Sequence, residues 1–271
     1  MLNKNEIDAR KLEKITLSTL YSPKYKAEFD YIKRKLSLSD KQIIDAVIHY
    51  SLNLNTFDNL EYNSNALLTV LHLHNCVQGS YHQKRQKIIE AFLQNRNWNT
   101  LIDIGFGVPS SYVFNNLKKG IISTITLADK DKTAIDFASI LLEYHNSSFR
   151  QMVDFKIIDM NDSKQVGKYD VYLFLDSIEH AYDPTDFLKR TIKYAPQKAR
   201  FILALPICSK ESLGNNFHYI EWLNKTSAIE WLKSCGLKVK QSKKIDPVSG
   251  IDIFAERIKG GFYNLIVECF K

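Results

Sequence analysis

The stretch TLIDIGFGVPSSYVF, residues 100–114, runs from an apolar, β-branched segment through Gly105 and Gly107 to Pro109 and Ser110, with Asp103 just ahead of the glycines. A glycine pair after a buried strand lets the backbone turn tightly and approach a ligand, while the helix that follows offers its free N–H groups. Val108 and Pro109 ahead of Ser110 suit a helix start, because proline in the first turn gives up no needed donor. The same residues also fit a plain strand-to-helix turn. A dinucleotide site, as an NAD-linked oxidoreductase needs, wants glycine at position 110, where this chain has Ser110.

Downstream, short β-branched runs (LIDI, TITLAD, DFKIID, DVYLFLD and RFILALP) alternate with helix-length segments. Strands that alternate with helices pair in parallel through right-handed crossovers and are covered on both faces. A helix near 226–235 is then followed by LKVKQSKKI and GGFYNLIVECF with only a loop between them, which predicts an antiparallel hairpin. Upstream, helical periodicity fills segments near 4–20, 24–36, 39–53, 64–77 and 81–95, with Ile43, Val47, Ile48 and Leu52 forming one apolar stripe. Ser22-Pro23 and Ser39-Asp40 mark two of the starts. The expected fold is α/β: a doubly wound, mostly parallel seven-stranded sheet ending in an antiparallel hairpin, preceded by an all-helical N-terminal region. The expected division is residues 1–95 and 96–271.

The 271 residues are 45% hydrophobic and 25% charged, an ordinary globular composition. MLNKNEIDARKLEK at the N-terminus holds no apolar run, so neither a signal peptide nor a membrane span is expected and the cytoplasm is the expected compartment. Cys76, Cys208, Cys235 and Cys269 are far apart and suit small buried hydrophobes in a reducing compartment. The net charge of +7 is spread along the chain, which favours a small anionic partner or a solvated surface over a nucleic-acid groove.

Asp103, Asp129 and Asp159 each stand at or just past the end of one of the first three predicted strands, and so along one rim of the sheet. Asp129 is about one βαβ unit beyond the glycines, placed to accept from two ribose hydroxyls. In this order of motifs, residues 81–271 resemble the class I S-adenosylmethionine (SAM)-dependent methyltransferases. LIDIGFG is similar to that family's first motif, although Pro109 stands where a third glycine is common. Pro196-Gln197-Lys198 replaces the usual Pro-Gly-Gly before the fifth strand. The resemblance implies SAM as cofactor, with Asp103 holding the methionine ammonium directly or through water and Gly105, Gly107 and Pro109 along the methionine tail. It further implies Asp129 and Lys130 at the ribose, Asp159 and Met160 at adenine, and Asp176 at the end of the fourth strand.

On the acceptor side, Glu179, His180 and His218 are the candidate catalytic residues, since histidine titrates near neutrality and can take a proton from a hydroxyl or amine. Tyr81 and His82, ahead of the helix leading into the sheet, are candidate substrate contacts from a helical cap that shields the site from water. The arrangement of Asp176, Glu179, His180 and His218 also resembles that of metal-dependent RNA 2′-O-methyltransferases, which would hold a divalent ion there. Metal-free methyltransferases carry a similar Glu-His, and no metal is expected. His72, His74 and Cys76 are expected to be buried structural residues, only His72 and Cys76 sharing a helix face.

The expected function is methyl transfer from SAM to a small polar molecule, with oxygen, nitrogen and carbon acceptors all open. The alternative is a synthase that transfers or cyclises the aminocarboxypropyl arm and releases methylthioadenosine; IGFGVPSS resembles the glycine-proline loop of such enzymes. A SAM-binding protein without catalysis is a further alternative, and the N-terminal helices also offer a homodimer interface.

Overall fold

Apolar side chains in the runs LIDI, TLAD, VYLFL, FILALPI and NLIVEC bury both faces of the central strands, and this sets the architecture. A computed structural model describes residues 4–52, 65–94, 97–162, 166–209, 218–246 and 262–271. Five helices come first: α1 (Lys4–Leu20), α2 (Lys26–Leu36), α3 (Asp40–Leu52), α4 (Asn65–Cys76) and α5 (Tyr81–Leu93). Then come β1 (Trp98–Ile104), α6 (Ser111–Lys118), β2 (Ile122–Asp129), α7 (Lys132–His145), β3 (Val153–Ile157), β4 (Val171–Leu175), α8 (Pro184–Tyr194) and β5 (Arg200–Ile207); helices alternate with strands except between β3 and β4, where the described residues form turns and loop instead of the expected helix. The chain closes with α9 (Lys225–Ser234), β6 (Lys238–Ile245) and β7 (Tyr263–Phe270).

Among the described residues the strands form one seven-stranded sheet in the order β3-β2-β1-β4-β5-β7-β6. β1 to β5 pair in parallel, and β7 runs antiparallel to both β5 and β6, giving the expected terminal hairpin. The order reverses between β1 and β4, the point where open α/β sheets form a crevice at their carboxyl ends. Two predicted positions shift. α2 begins at Lys26 because the Ser22 carbonyl first accepts from the Tyr25 and Lys26 N–H groups at 2.9 and 2.8 Å, making a turn ahead of the helix. Pro109 does not stand in the first turn of α6, which starts at Ser111 with Ser110 as its N-cap. The predicted helix limits at 53, 64 and 95, the 95/96 division, and Gly260 and Gly261 lie outside the described residues.

Along β1, Leu101 faces one side of the sheet and Ile102 and Ile104 the other. Tyr172, Phe174, Phe201 and Leu203 join the second side, packed by α8 and α9. On the first side the buried residues of α1 to α5 and those of α6, α7 and the sheet make one continuous cluster, including Leu12, Phe29, Val47, Leu68, Leu127 and Leu141.

A buried carboxylate stitches that cluster together. Glu28 on α2 meets His72 Nε2 on α4 and His145 Nε2 at the end of α7, each at 2.9 Å. Burial pushes the Glu28 carboxyl up, but the two imidazoles more than offset it and hold it well below its ordinary range. Burial likewise pushes His72 down, and Cys76 and Glu28 beside it outweigh this, raising it to about 10. His72 and Cys76 do share a face, with Sγ 3.8 Å from Nε2, while His74 is fully buried against Tyr50 and His82. No helix among the described residues is long and apolar enough to cross a membrane.

Candidate functional site

The glycine turn after β1 is built for close approach. Gly105 and Gly107 have φ of 69° and 56°, in the left-handed region that glycine enters without strain. A Cβ on Gly105 would meet the Ser177 Cβ at 2.7 Å. Ser177 in turn donates to the Ile104 carbonyl at 2.7 Å, so the turns after β1 and β4 are packed against each other. Asp129, at the end of β2, accepts from the N–H groups of Gly107 and Asp131, each at 3.0 Å. Burial raises its carboxyl, and those two N–H groups resist the rise. The first glycine motif and the acid of the second strand thus form one unit.

These turns border a cavity of about 520 Å³ at the carboxyl edge of the sheet. Its walls hold Gly105, Gly107, Asp129, Lys130, Asp159, Met160 and Asp176 of the expected cofactor residues, together with Tyr81, His82, Glu179, His180 and His218. Tyr50 from α3, Leu71 and Asn75 from α4, and Arg85 from α5 complete the side formed by the N-terminal helices. Asp159 lies in a turn in which its carboxylate accepts from the Asn161 N–H at 2.9 Å.

Two expected contacts are not part of this wall. Asp103 lies behind it, buried, with Oδ2 accepting from the Tyr112 hydroxyl of α6 and Oδ1 without a hydrogen-bond partner among the described residues. The physical reason is strand alternation: Asp103 belongs to the face of β1 that α6 covers. Burial pushes its carboxyl up to about 7 against the Tyr112 hydrogen bond and the Arg85 charge. Pro109 is also buried away from the cavity lining, because the chain has already turned toward α6 at that point.

Asp176 is more firmly engaged than the sequence suggested. It has φ of 55°, unusual for a residue other than glycine, and its carboxylate receives Arg85 and Tyr81 from α5 and Asn264 from β7. The Tyr81 hydroxyl donates over 3.0 Å. Arg85 also donates to His82 Nδ1 at 3.4 Å, while burial, then Arg85, holds His82 well below its ordinary pKa and so neutral. Arg85 and Asn264 were missed in the sequence, yet each left a signal. Arg85 follows Tyr81 by one helical turn on the same face, and Asn264 is a polar residue inside the apolar strand NLIV.

Beyond β4 a short 3₁₀ turn, Ile178–His180, brings Glu179 and His180 to the cavity. His218 meets His180 with ring centroids 4.9 Å apart, and one ligand atom from each of Glu179, His180 and His218 lies within 4.8 Å of the others. Glu179 is buried, and its Oε2 has no partner among the described residues. Burial, with Asp176 adding, pushes its carboxyl well above the ordinary range. A buried acid of that kind beside two imidazoles is equipped to hold or move a proton.

Comparison with solved structures finds this architecture in proteins that share little sequence with the chain. The [4+2]-cyclase SpnF superposes with a TM-score of 0.55 at 12% identity, over 72% of this chain and 83% of its own. The geranyl diphosphate C-methyltransferase of Streptomyces coelicolor A3(2), solved with Mg²⁺, geranyl-S-thiolodiphosphate and S-adenosyl-L-homocysteine, gives 0.55 at 12% identity over 80% of this chain and 83% of its own. The N-methyltransferase NodS from Bradyrhizobium japonicum WM9, in complex with S-adenosyl-L-homocysteine, gives 0.51 at 11% identity over 70% and 87%. No family model matches the chain, and no curated protein matches it in sequence. With its 3-2-1-4-5-7-6 sheet, terminal hairpin and N-terminal helices, the chain has the fold of the class I SAM-dependent methyltransferases.

Proposed function

We propose that the protein is a SAM-dependent methyltransferase acting on a small polar molecule, with residues 1–95 as its cap and 96–271 as its cofactor-binding part. The observation that carries this reading is one cavity whose lining contains both the rim acids Asp129 and Asp159 and the cluster of Glu179, His180 and His218. When bound, SAM supplies a sulfonium methyl carbon that takes a lone pair from the acceptor as the carbon–sulfur pair returns to sulfur. Each Asp129 oxygen accepts one backbone N–H and keeps lone-pair capacity for a ribose hydroxyl. Gly105 and Gly107 let the tail pass close to the backbone, and Asp159 with Met160 flanks adenine. His180 or His218 takes the proton that the acceptor releases, and the cap helices keep water from the reacting centre.

The test combines binding with product analysis. Calorimetry should show S-adenosyl-L-homocysteine binding that Asp129→Ala weakens by about 1–3 kcal/mol through lost charged hydrogen bonds. Mass spectrometry of protein incubated with SAM should show no methylthioadenosine above a boiled control. Its appearance would overturn methyl transfer in favour of the arm-transferring synthase. Unchanged affinity in the Asp129 variant would remove the ribose role.

A second reading has a specific observation behind it. Glu179, His180 and His218 present a mixed oxygen and nitrogen donor set that suits a divalent cation, and the unpartnered Glu179 Oε2 is one such donor. Asp176, the expected fourth ligand, is held by Arg85, Tyr81 and Asn264 and does not fit that role. A cation held there would act as a Lewis acid on an acceptor oxygen. A thermal upshift with Mn²⁺ or Zn²⁺ that His180→Ala and His218→Ala abolish would support it, and no shift with either ion would end it.

A further inference from the structure

Two aromatic pairs line the cavity, one half-buried and one exposed. The half-buried pair is His180–His218, with centroids 4.9 Å apart at 76°. Beside it in sequence on both segments, Tyr182 and Tyr219 repeat the arrangement at 4.8 Å and 78°. Both tyrosines line the cavity, yet they are 67% and 44% exposed. Their backbones are pinned: the Tyr219 N–H donates to the Glu179 carbonyl at 2.8 Å and the Tyr182 N–H to Asn161 Oδ1 at 2.7 Å. Single exposed aromatic residues need no explanation, but a pinned, exposed pair lining the same cavity as the candidate proton acceptors does.

We propose that the acceptor is a planar aromatic or heteroaromatic molecule bearing a hydroxyl or amine, its ring stacked on the Tyr182–Tyr219 pair and its protic group at His180 and His218. This rests on the methyl-transfer reading for what happens at the two histidines. Edge-to-face contact between the two tyrosines leaves a ring face for an incoming π-system to stack against in an offset manner. Two rings meeting edge to face do not form the open box of rings that encloses a quaternary ammonium. Held by backbone hydrogen bonds and with few side-chain torsions, the rings lose little entropy when a ligand docks.

The experiment uses the full chain saturated with S-adenosyl-L-homocysteine, so that the nucleoside side of the cavity is filled before any acceptor probe is added. Catechol and 5-hydroxyindole are then titrated by saturation-transfer NMR against cyclohexane-1,2-diol, which keeps the hydroxyls without the ring face, and against choline. The planar probes should bind saturably and the other two should not. The Tyr182→Ala/Tyr219→Ala double variant should weaken the planar probes about tenfold, while the Phe/Phe variant keeps them and both retain wild-type affinity for S-adenosyl-L-homocysteine. Equal binding of cyclohexanediol or choline, no binding of either planar probe, or an unchanged Kd in the Ala/Ala variant would overturn the proposal. Failure of S-adenosyl-L-homocysteine itself to bind shows at the first step, and would strike the functional reading and this inference with it.

Discussion

Asp103 and Gly105 are two residues apart and act by different physics. Asp103, raised from the ordinary 3.8 to about 7 by burial, keeps its proton in the native protein over a range in which the unfolded chain has lost it. Across that window the unfolded state binds fewer protons, so stability falls as pH rises, by up to about 1.4 kcal/mol per unit, and levels off above the folded value. Asp103→Asn should flatten this limb, as read from urea midpoints at each pH; an unchanged slope would place the titration in another group. At Gly105 a side chain collides with Ser177 in addition to the positive φ, whereas at Gly107 the nearest atom is Leu71 Cδ1 at 3.9 Å. Gly105→Ala should therefore cost about 1–3 kcal/mol and more than Gly107→Ala, and urea unfolding of the two variants checks the order. The need for glycine at both positions was legible in the motif; the inward direction of Asp103 was not.

At the scale of elements, α5 and α6 show a helix start stabilised from outside its own segment. Ser110 makes no side-chain cap. The Ser111 N–H is met instead by Gln86 Oε1 on α5 at 3.2 Å, and Gln86 Nε2 donates to Asn75 Oδ1 on α4 at 2.9 Å. Gln86→Ala should destabilise the protein by about 0.5–2 kcal/mol, since it removes the cap from α6 and a partner from half-buried Asn75, with denaturant titration as the readout. Sequence rules look for the cap within a few residues of the helix, which explains why Ser110 drew attention and Gln86 did not. The same limit hid Arg85, whose partner Asp176 is 91 positions away.

For the molecule as a whole, Glu28 joins the N-terminal helices to α7 through His72 and His145, 44 and 117 positions away. Removing one member of a buried charged cluster leaves the others uncompensated, a loss of about 3–5 kcal/mol. Glu28→Gln should lower the thermal midpoint accordingly, and protease digestion of the variant should begin in the N-terminal helices, where the tie to the sheet is cut. Full wild-type stability would show that the continuous apolar cluster alone holds them. Because that cluster spans both parts, the cavity keeps a wall of Tyr50, Leu71, Tyr81 and Arg85 that the sheet by itself does not provide.

The sequence by itself determined the strands and most of the helices between them, the terminal hairpin, the helical N-terminal region and the positions of Asp129, Asp159 and Asp176 at strand ends. All of these follow from local periodicity, since a β-branched run sets where a strand stops and therefore which acid meets the carboxyl edge. Only the tertiary structure decided that those acids face the cavity, that Asp103 turns to Tyr112, that Arg85 and Asn264 hold Asp176, and that Tyr182 and Tyr219 line the same cavity as two histidines. These depend on contacts between residues far apart in the chain, where the pattern of nearby residues carries no information about direction or distance.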